Sequence, residues 1–136
     1  MTALRARHAG ARVLLAEDNE INAEVARHLL QAAGVAVDLA RDGVEAVRKG
    51  TSGEYDLVLM DMQMPNMDGL EAARRIIAQR PGAAPIIAMT ANAFSDDRDR
   101  CLAAGMRDFI AKPVEPALLY GTLLKWLDLQ HAEAHH

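Results

Sequence analysis

The sequence predicts an α/β fold, one parallel five-stranded sheet with helices on both faces. Short strand-like apolar runs alternate five times with segments of helical period. The central runs are apolar without interruption, as strands buried on both sides must be. The ends of four runs share a third feature, a polar side chain suited to phosphoryl chemistry. Val13-Leu14-Leu15-Ala16 stops on Glu17-Asp18, Leu57-Val58-Leu59-Met60 on Asp61, Ile86-Ile87-Ala88-Met89 on Thr90, and Phe109-Ile110-Ala111 on Lys112-Pro113.

The strands are expected near 12–16, 35–39, 56–60, 85–89 and 107–111. Between the first two, Ile21, Val25, Leu29 and Ala32 recur at helical spacing over 20–33, and Gly34 supplies the stop. Val44, Ala46 and Val47 mark a short helix over 43–49 that ends at Gly50. Leu70, Ala73, Ile76 and Ile77 share a face over 69–80, with Pro81-Gly82 as terminator. A fourth helix over 95–104 ends at Gly105, and a fifth over 115–128 carries Leu118, Leu119, Leu123, Leu124 and Leu127. Right-handed crossovers leave few topologies, and five βα units favour strand order 2-1-3-4-5, a flavodoxin-like (βα)5 three-layer sandwich. The switch point of that order falls between the first and third strands, which deliver Glu17-Asp18 and Asp61. Open α/β sheets bind their ligands at that carboxyl edge.

A chain of 136 residues fits one domain, able to bury roughly two-thirds of its unfolded surface. Residues 11–129 read as that domain, 1–10 as a disordered lead-in or linker, and 130–136 as a tag-like tail. With 51% apolar but only 4% aromatic residues, Leu, Val, Ile, Ala and Met must fill the core. A net charge of −4 offers no basic footprint for nucleic acid. No apolar run approaches the roughly 20 residues of a membrane span, so no membrane contact by this chain is expected. The single cysteine, Cys101, excludes an internal disulfide, reads as a packed thiol and fits a reducing cytosol. Met60, Met62, Met64 and Met67 read as packing residues rather than metal ligands.

Carboxylates held close together repel one another unless something offsets their charge. A hard divalent cation does so, and Mg2+ commonly takes one or two carboxylates while keeping several waters. Glu17, Asp18 and Asp61 therefore form a candidate Mg2+ site, with Mn2+ as a substitute. Pro65 and Asp68-Gly69 make the stretch after Asp61 a turn, leaving that carboxylate at the sheet edge, as metal ligand or as nucleophile forming an acyl phosphate. Lys112 offers a positive charge and Thr90 a hydroxyl to a phosphoryl group, and small Ala91 leaves the approach open. Phe109 is either core or a ring that turns inward when Thr90 moves.

Those residues in that order resemble the receiver domain of two-component response regulators over roughly residues 11–129. The resemblance rests on Glu17-Asp18-Asn19, on Asp61 within Leu-Met-Asp-Met-Gln-Met-Pro-Asn-Met-Asp-Gly, on Thr90 within Ala-Met-Thr-Ala-Asn-Ala, and on Lys112-Pro113. Glu-Asp-Asn-x-x-Asn, ending at Asn22, and Thr-Ala-Asn-Ala look most like receivers attached to hybrid sensor histidine kinases. The resemblance implies that Asp61 accepts a phosphoryl group from a phosphohistidine on a kinase dimerisation/phosphotransfer domain or on a histidine phosphotransfer protein. It implies that Asp18, Asp61 and the backbone carbonyl of Gln63 ligate Mg2+, with Glu17 acting through water. Lys112, joined to Pro113 by a cis bond, would pair with the phosphoryl group, and Thr90 and Phe109 would form a switch pair. Gln63 and Asn92 flank the site, where their side chains orient or screen the hydrolytic water.

Self-phosphorylation and autodephosphorylation, rather than turnover of an outside substrate, would then be the chemistry of this chain. The first helix would dock the partner, with Asn22, Ala23 and Ala26 setting specificity. The face of the fourth helix, fifth strand and fifth helix would be the readout. The expected setting is the cytoplasm, within a hybrid kinase or as a stand-alone regulator. Two other readings are a docking pseudo-receiver that carries no phosphate and an aspartyl-phosphate phosphatase. Gln63, two positions beyond Asp61, lacks the acid/base carboxylate the phosphatase would need.

Overall fold

The five apolar runs become parallel strands β1 (Arg12–Ala16), β2 (Ala36–Ala40), β3 (Leu57–Asp61), β4 (Ile86–Thr90) and β5 (Asp108–Ala111), hydrogen-bonded in the order 2-1-3-4-5. The computed structural model describes residues 10–52, 55–62, 64, 67–80, 84–90, 95–112 and 114–134, with backbone alone at 95–98 and 130–134. Helices α1 (Glu20–Ala32), α2 (Gly43–Gly50), α3 (Gly69–Gln79), α4 (Ser95–Ala103) and α5 (Pro116–Ala134) complete the fold. Asn19, Asp42 and Asp68 start the first three, their side chains accepting hydrogen bonds from the N–H groups of Asn22, Glu45 and Glu71. These bonds satisfy donors that the helix itself leaves open.

β1, β3 and β4 are buried on both faces, and the two-residue pleat divides their side chains between two cores. Leu14, Val58, Met60, Ile86 and Ala88 face α2, α3 and α4, where Ala46, Ala73, Ile76 and Cys101 meet them. Val13, Leu15, Leu57, Leu59 and Ile87 face α1 and α5, where Leu30, Leu119 and Leu123 meet them. Cys101 is a packed thiol, its Sγ 3.3 Å from Met62 Sδ. Met60 and Met62 are buried, and Met64 and Met67 pack against the same core.

Three expectations shift. β2 through β5 begin one residue later than the apolar runs predict, and β2, β3 and β4 also end one residue later, so that Asp61 stands opposite Met89 and Thr90 opposite Ala111. Asp61 is thus the last residue of its strand rather than the first beyond it. The inner face of α1 is Ala23, Ala26 and Leu30, while Ile21 and Val25 point outward, 76% and 51% exposed, and Ala32 is exposed too. Small alanines let this helix lie close to the sheet, and close approach rather than hydropathy selects the buried face. Finally, α5 runs on to Ala134 through residues expected to form a tail.

Candidate functional site

Strand register builds the site. Ala16 pairs with Met60 and Asp61 with Met89, so Glu17, one step past β1, comes level with Asp61. Thr90 pairs with Ala111, which places Lys112 one step past the sheet beside them. The Lys112 N–H donates to the Thr90 carbonyl at 2.8 Å and fixes that turn. The Lys112 ammonium donates to Asp61 Oδ2 at 2.9 Å and to Glu17 Oε2 at 3.0 Å. Glu17 Oε1 accepts from the Asn19 N–H at 3.1 Å. Glu17, Asp61 and Thr90 are buried, whereas Asp18 is exposed.

Burial pushes the Glu17 carboxyl above its ordinary pKa of 4.5, opposed by the Lys112 ammonium and assisted by the Asp61 carboxylate. Burial alone would lower the Lys112 pKa, but the two carboxylates outweigh it and hold the ammonium above its ordinary 10.5. One ammonium thus bridges two of three carboxylates, each of which has an oxygen within 4.8 Å of an oxygen of the others. This all-oxygen set, open to water through Asp18, fits a hard cation that keeps part of its hydration shell.

The response regulator receiver domain profile matches residues 13–124. The chain belongs to that family. Its receiver domain is 41% identical over 123 residues to the aerobic respiration control sensor protein ArcB of Escherichia coli, a match covering 89% of this chain and 16% of ArcB. Identity reaches 42% over 117 residues with hybrid signal transduction histidine kinase I of Dictyostelium discoideum, covering 80% of this chain and 7% of that protein. The chain therefore spans a small fraction of the curated kinases it resembles. Among solved structures, a receiver domain of a Pseudomonas aeruginosa sensor histidine kinase, with magnesium in its active-site cleft, superposes with TM-score 0.82 at 45% identity, covering 88% of this chain and 99% of that one. The receiver domain of the Saccharomyces cerevisiae regulator Ssk1, solved with the histidine phosphotransfer protein Ypd1, gives TM-score 0.82 at 31% identity, covering 90% and 92%.

The receiver's Glu17, Asp18, Asp61, Thr90 and Lys112 come together at the carboxyl rim of the sheet. Phe109 lies lower. Opposite Ala88, it sits one pleat below Thr90 on the same face of the sheet, packed against the core beneath α2, α3 and α4. Gln63, Ala91, Asn92 and Pro113 lie outside the described residues, and so does the bond joining Lys112 to Pro113. The sequence reading missed the Glu17–Lys112 ion pair; the signal was available in the parallel register, which sets the residue after β1 level with Asp61. Gly69, read from the sequence only as a turn residue, also has a steric role: a Cβ there would stand 2.1 Å from the Asp61 carbonyl oxygen. The turn after Asp61 closes through that contact, with the Gly69 N–H donating to the Met62 carbonyl at 3.0 Å.

A cleft of about 140 Å³ opens beside the acidic group, lined by Asn22, Val25 and Ala26 of α1 together with Met89, Val114, Glu17 and Lys112. Of the three α1 residues expected to set specificity, Asn22 is exposed, Ala26 is a buried wall of this cleft, and Ala23 is buried. Ala23 therefore presents little surface to a partner. Among the described residues no helix is long and apolar enough to cross a membrane.

Proposed function

We propose that Asp61 is the phosphoacceptor of this receiver and takes its phosphoryl group from a phosphohistidine. The observation that carries the reading is the Lys112 ammonium bridging Asp61 and Glu17 at the rim of the sheet, with Asp18 alongside. In the transfer, an Asp61 oxygen forms the new bond to phosphorus, the P–N bond breaks, and the imidazole leaves with its bonding electron pair. Such a reaction asks the protein for positioning and charge neutralisation. Mg2+, held by Asp18, Asp61 and the Gln63 carbonyl, with Glu17 acting through water, would neutralise the phosphoryl oxygens, and Mn2+ would substitute. Lys112 turns from its carboxylate partners toward the new phosphoryl group, and the Thr90 hydroxyl donates to it. Phe109, on the same face as Thr90, moves into the space that Thr90 vacates. Ala91 leaves the approach to that group open, and Gln63 and Asn92 flank it and govern loss of phosphate to water. The Lys112–Pro113 bond is cis in this reading.

The same reading places residues 11–129 as a receiver within a cytoplasmic hybrid sensor histidine kinase. Its partner is that kinase's phosphotransfer domain or a separate histidine phosphotransfer protein. Exposed Ile21 and Val25 beside the cleft support docking along α1. A phosphoaspartate formed and lost by the chain itself is the whole of its chemistry.

Incubation with acetyl phosphate and Mg2+ tests the assignment. One hydroxylamine-labile phosphate by intact mass, abolished in Asp61→Asn and by EDTA, is the expected result. No adduct, together with amide spectra unchanged by saturating beryllofluoride, would instead make the chain a docking pseudo-receiver. Sustained turnover of phosphate monoesters would make it a phosphatase.

A further inference from the structure

A second cleft, of about 400 Å³, lies at the opposite end of the sheet from Asp61. Helices run antiparallel to the strands they follow, so α3 and α4 bring their C-terminal turns to this end, with Ile77 and Leu102 as walls. The entry to β4, at Pro85, and Met106, ahead of β5, line it further, and the cleft stays half open to solvent. Seven of the eight lining residues are apolar or glycine, and the eighth is Arg107. The volume lies in the range of small-molecule sites, which combine apolar walls with one or two polar groups that orient the ligand.

Two features make this cleft more than a gap in packing. Gly105, at φ +93°, turns the chain so closely over α3 that a Cβ there would stand 2.4 Å from Ile77 Cδ1. The backbone N–H groups released by that turn are used up, since those of Ala104, Gly105 and Met106 donate to the carbonyls of Arg100, Leu102 and Cys101, respectively, at the end of α4. The α4 terminus therefore offers the cleft neither donors nor unpaired acceptors at these positions. The Arg107 N–H is bound to the Ile86 carbonyl at 2.9 Å, which anchors its backbone at the rim. Its guanidinium has no acceptor among the described residues. Leu102, 48% exposed, leaves an apolar wall of the cleft that Arg107 also lines open to solvent.

We propose that this cleft is a binding site for a small amphipathic carboxylate, its apolar tail between Ile77, Leu102 and Met106 and its anionic head on Arg107. A guanidinium pairs with a carboxylate through two parallel hydrogen bonds, and the tail removes Leu102 from water. Occupancy does not depend on Asp61 or on phosphorylation.

Octanoate is the probe, titrated into the full chain and followed by amide chemical shifts and calorimetry. The expected result is saturable binding with shifts centred on Leu102, Gly105 and Met106. Affinity should rise roughly three- to fourfold per methylene from hexanoate to octanoate, the increment for burying one such group. Arg107→Gln should weaken octanoate roughly three- to tenfold and leave octanol unchanged. Leu102→Asp should abolish binding, and Asp61→Asn should have no effect. Arg107 and Leu102 are both exposed, so thermal melts of these variants should match the parent. Absence of saturation, equal affinity for octanol and octanoate, or shifts centred on Thr90 and Lys112 would each overturn the assignment.

Discussion

Lys112→Met removes an ammonium while keeping most of its aliphatic stem, which isolates the electrostatic role of the lysine. Two buried carboxylates would then face each other, since Lys112 bridges Asp61 at 2.9 Å and Glu17 at 3.0 Å. The folded variant can escape that repulsion by taking up one proton, and this sets a ceiling on the cost. Neutralising a carboxyl of ordinary pKa 4.5 at pH 7 costs about 3.4 kcal/mol, at about 1.36 kcal/mol per pH unit. Solvent reaches the pocket past exposed Asp18, so the expected loss is about 2–3 kcal/mol at pH 7 without metal. At pH 5 the ceiling falls to about 0.7 kcal/mol by the same relation. Urea unfolding in EDTA at the two pH values measures both quantities. Added Mg2+ should recover much of the loss at pH 7, because its charge replaces the missing ammonium. A variant destabilised equally at both pH values, or by less than about 0.5 kcal/mol at pH 7, would refute the electrostatic account.

Glu17 supplies a second pH test, in metal-free protein. Its folded pKa is raised, so its contribution is fully present below about 4.5 and is lost as pH rises through the folded value. The parent's unfolding free energy from urea titration should therefore fall over that window by at most about 1.4 kcal/mol per pH unit, and Glu17→Gln should remove this component; an unchanged slope would count against it. Gly69→Ala would drive a Cβ into the Asp61 carbonyl and should cost about 2–4 kcal/mol by thermal or urea unfolding, with a parent-like melt disproving the contact. Cys101→Ser puts a hydroxyl where a thiol now meets Met62 and should cost about 1–3 kcal/mol. The native thiol should react with an aromatic disulfide reagent only as fast as the domain opens, and immediate labelling would show the burial to be wrong.

Much of this architecture is legible in the chain because the same short-range pattern that makes a buried strand also ends it. Leu57 to Met60 must lie between two helical layers, and the first charge after them, Asp61, marks where the sheet meets water. Repeated at Glu17, Thr90 and Lys112, that rule locates the rim and the polar side chains that meet there. The outer helices are less legible. Ile21 and Val25 have helical spacing and high hydropathy, yet α1 buries Ala23 and Ala26 instead. Periodicity shows that a helix has a face without showing which face meets the sheet. The pairing of Lys112 with Glu17 was hidden for another reason, since it depends on the registers of β1, β3, β4 and β5, a property of segments far apart in the chain.

The single tryptophan occupies a useful position. Trp126 Nε1 donates to Asp108 Oδ2 at 2.9 Å, while Oδ1 of the same carboxylate accepts the N–H of Phe109 at 2.8 Å. One aspartate thus mechanically joins a half-buried indole, packed against the core under α1 and α5, to the residue whose ring is proposed to swing. A shift of the Phe109 backbone would pull on that carboxylate and alter the polarity around the fluorophore. Intrinsic emission would then track the signalling state in real time, with no dye, label or engineered probe.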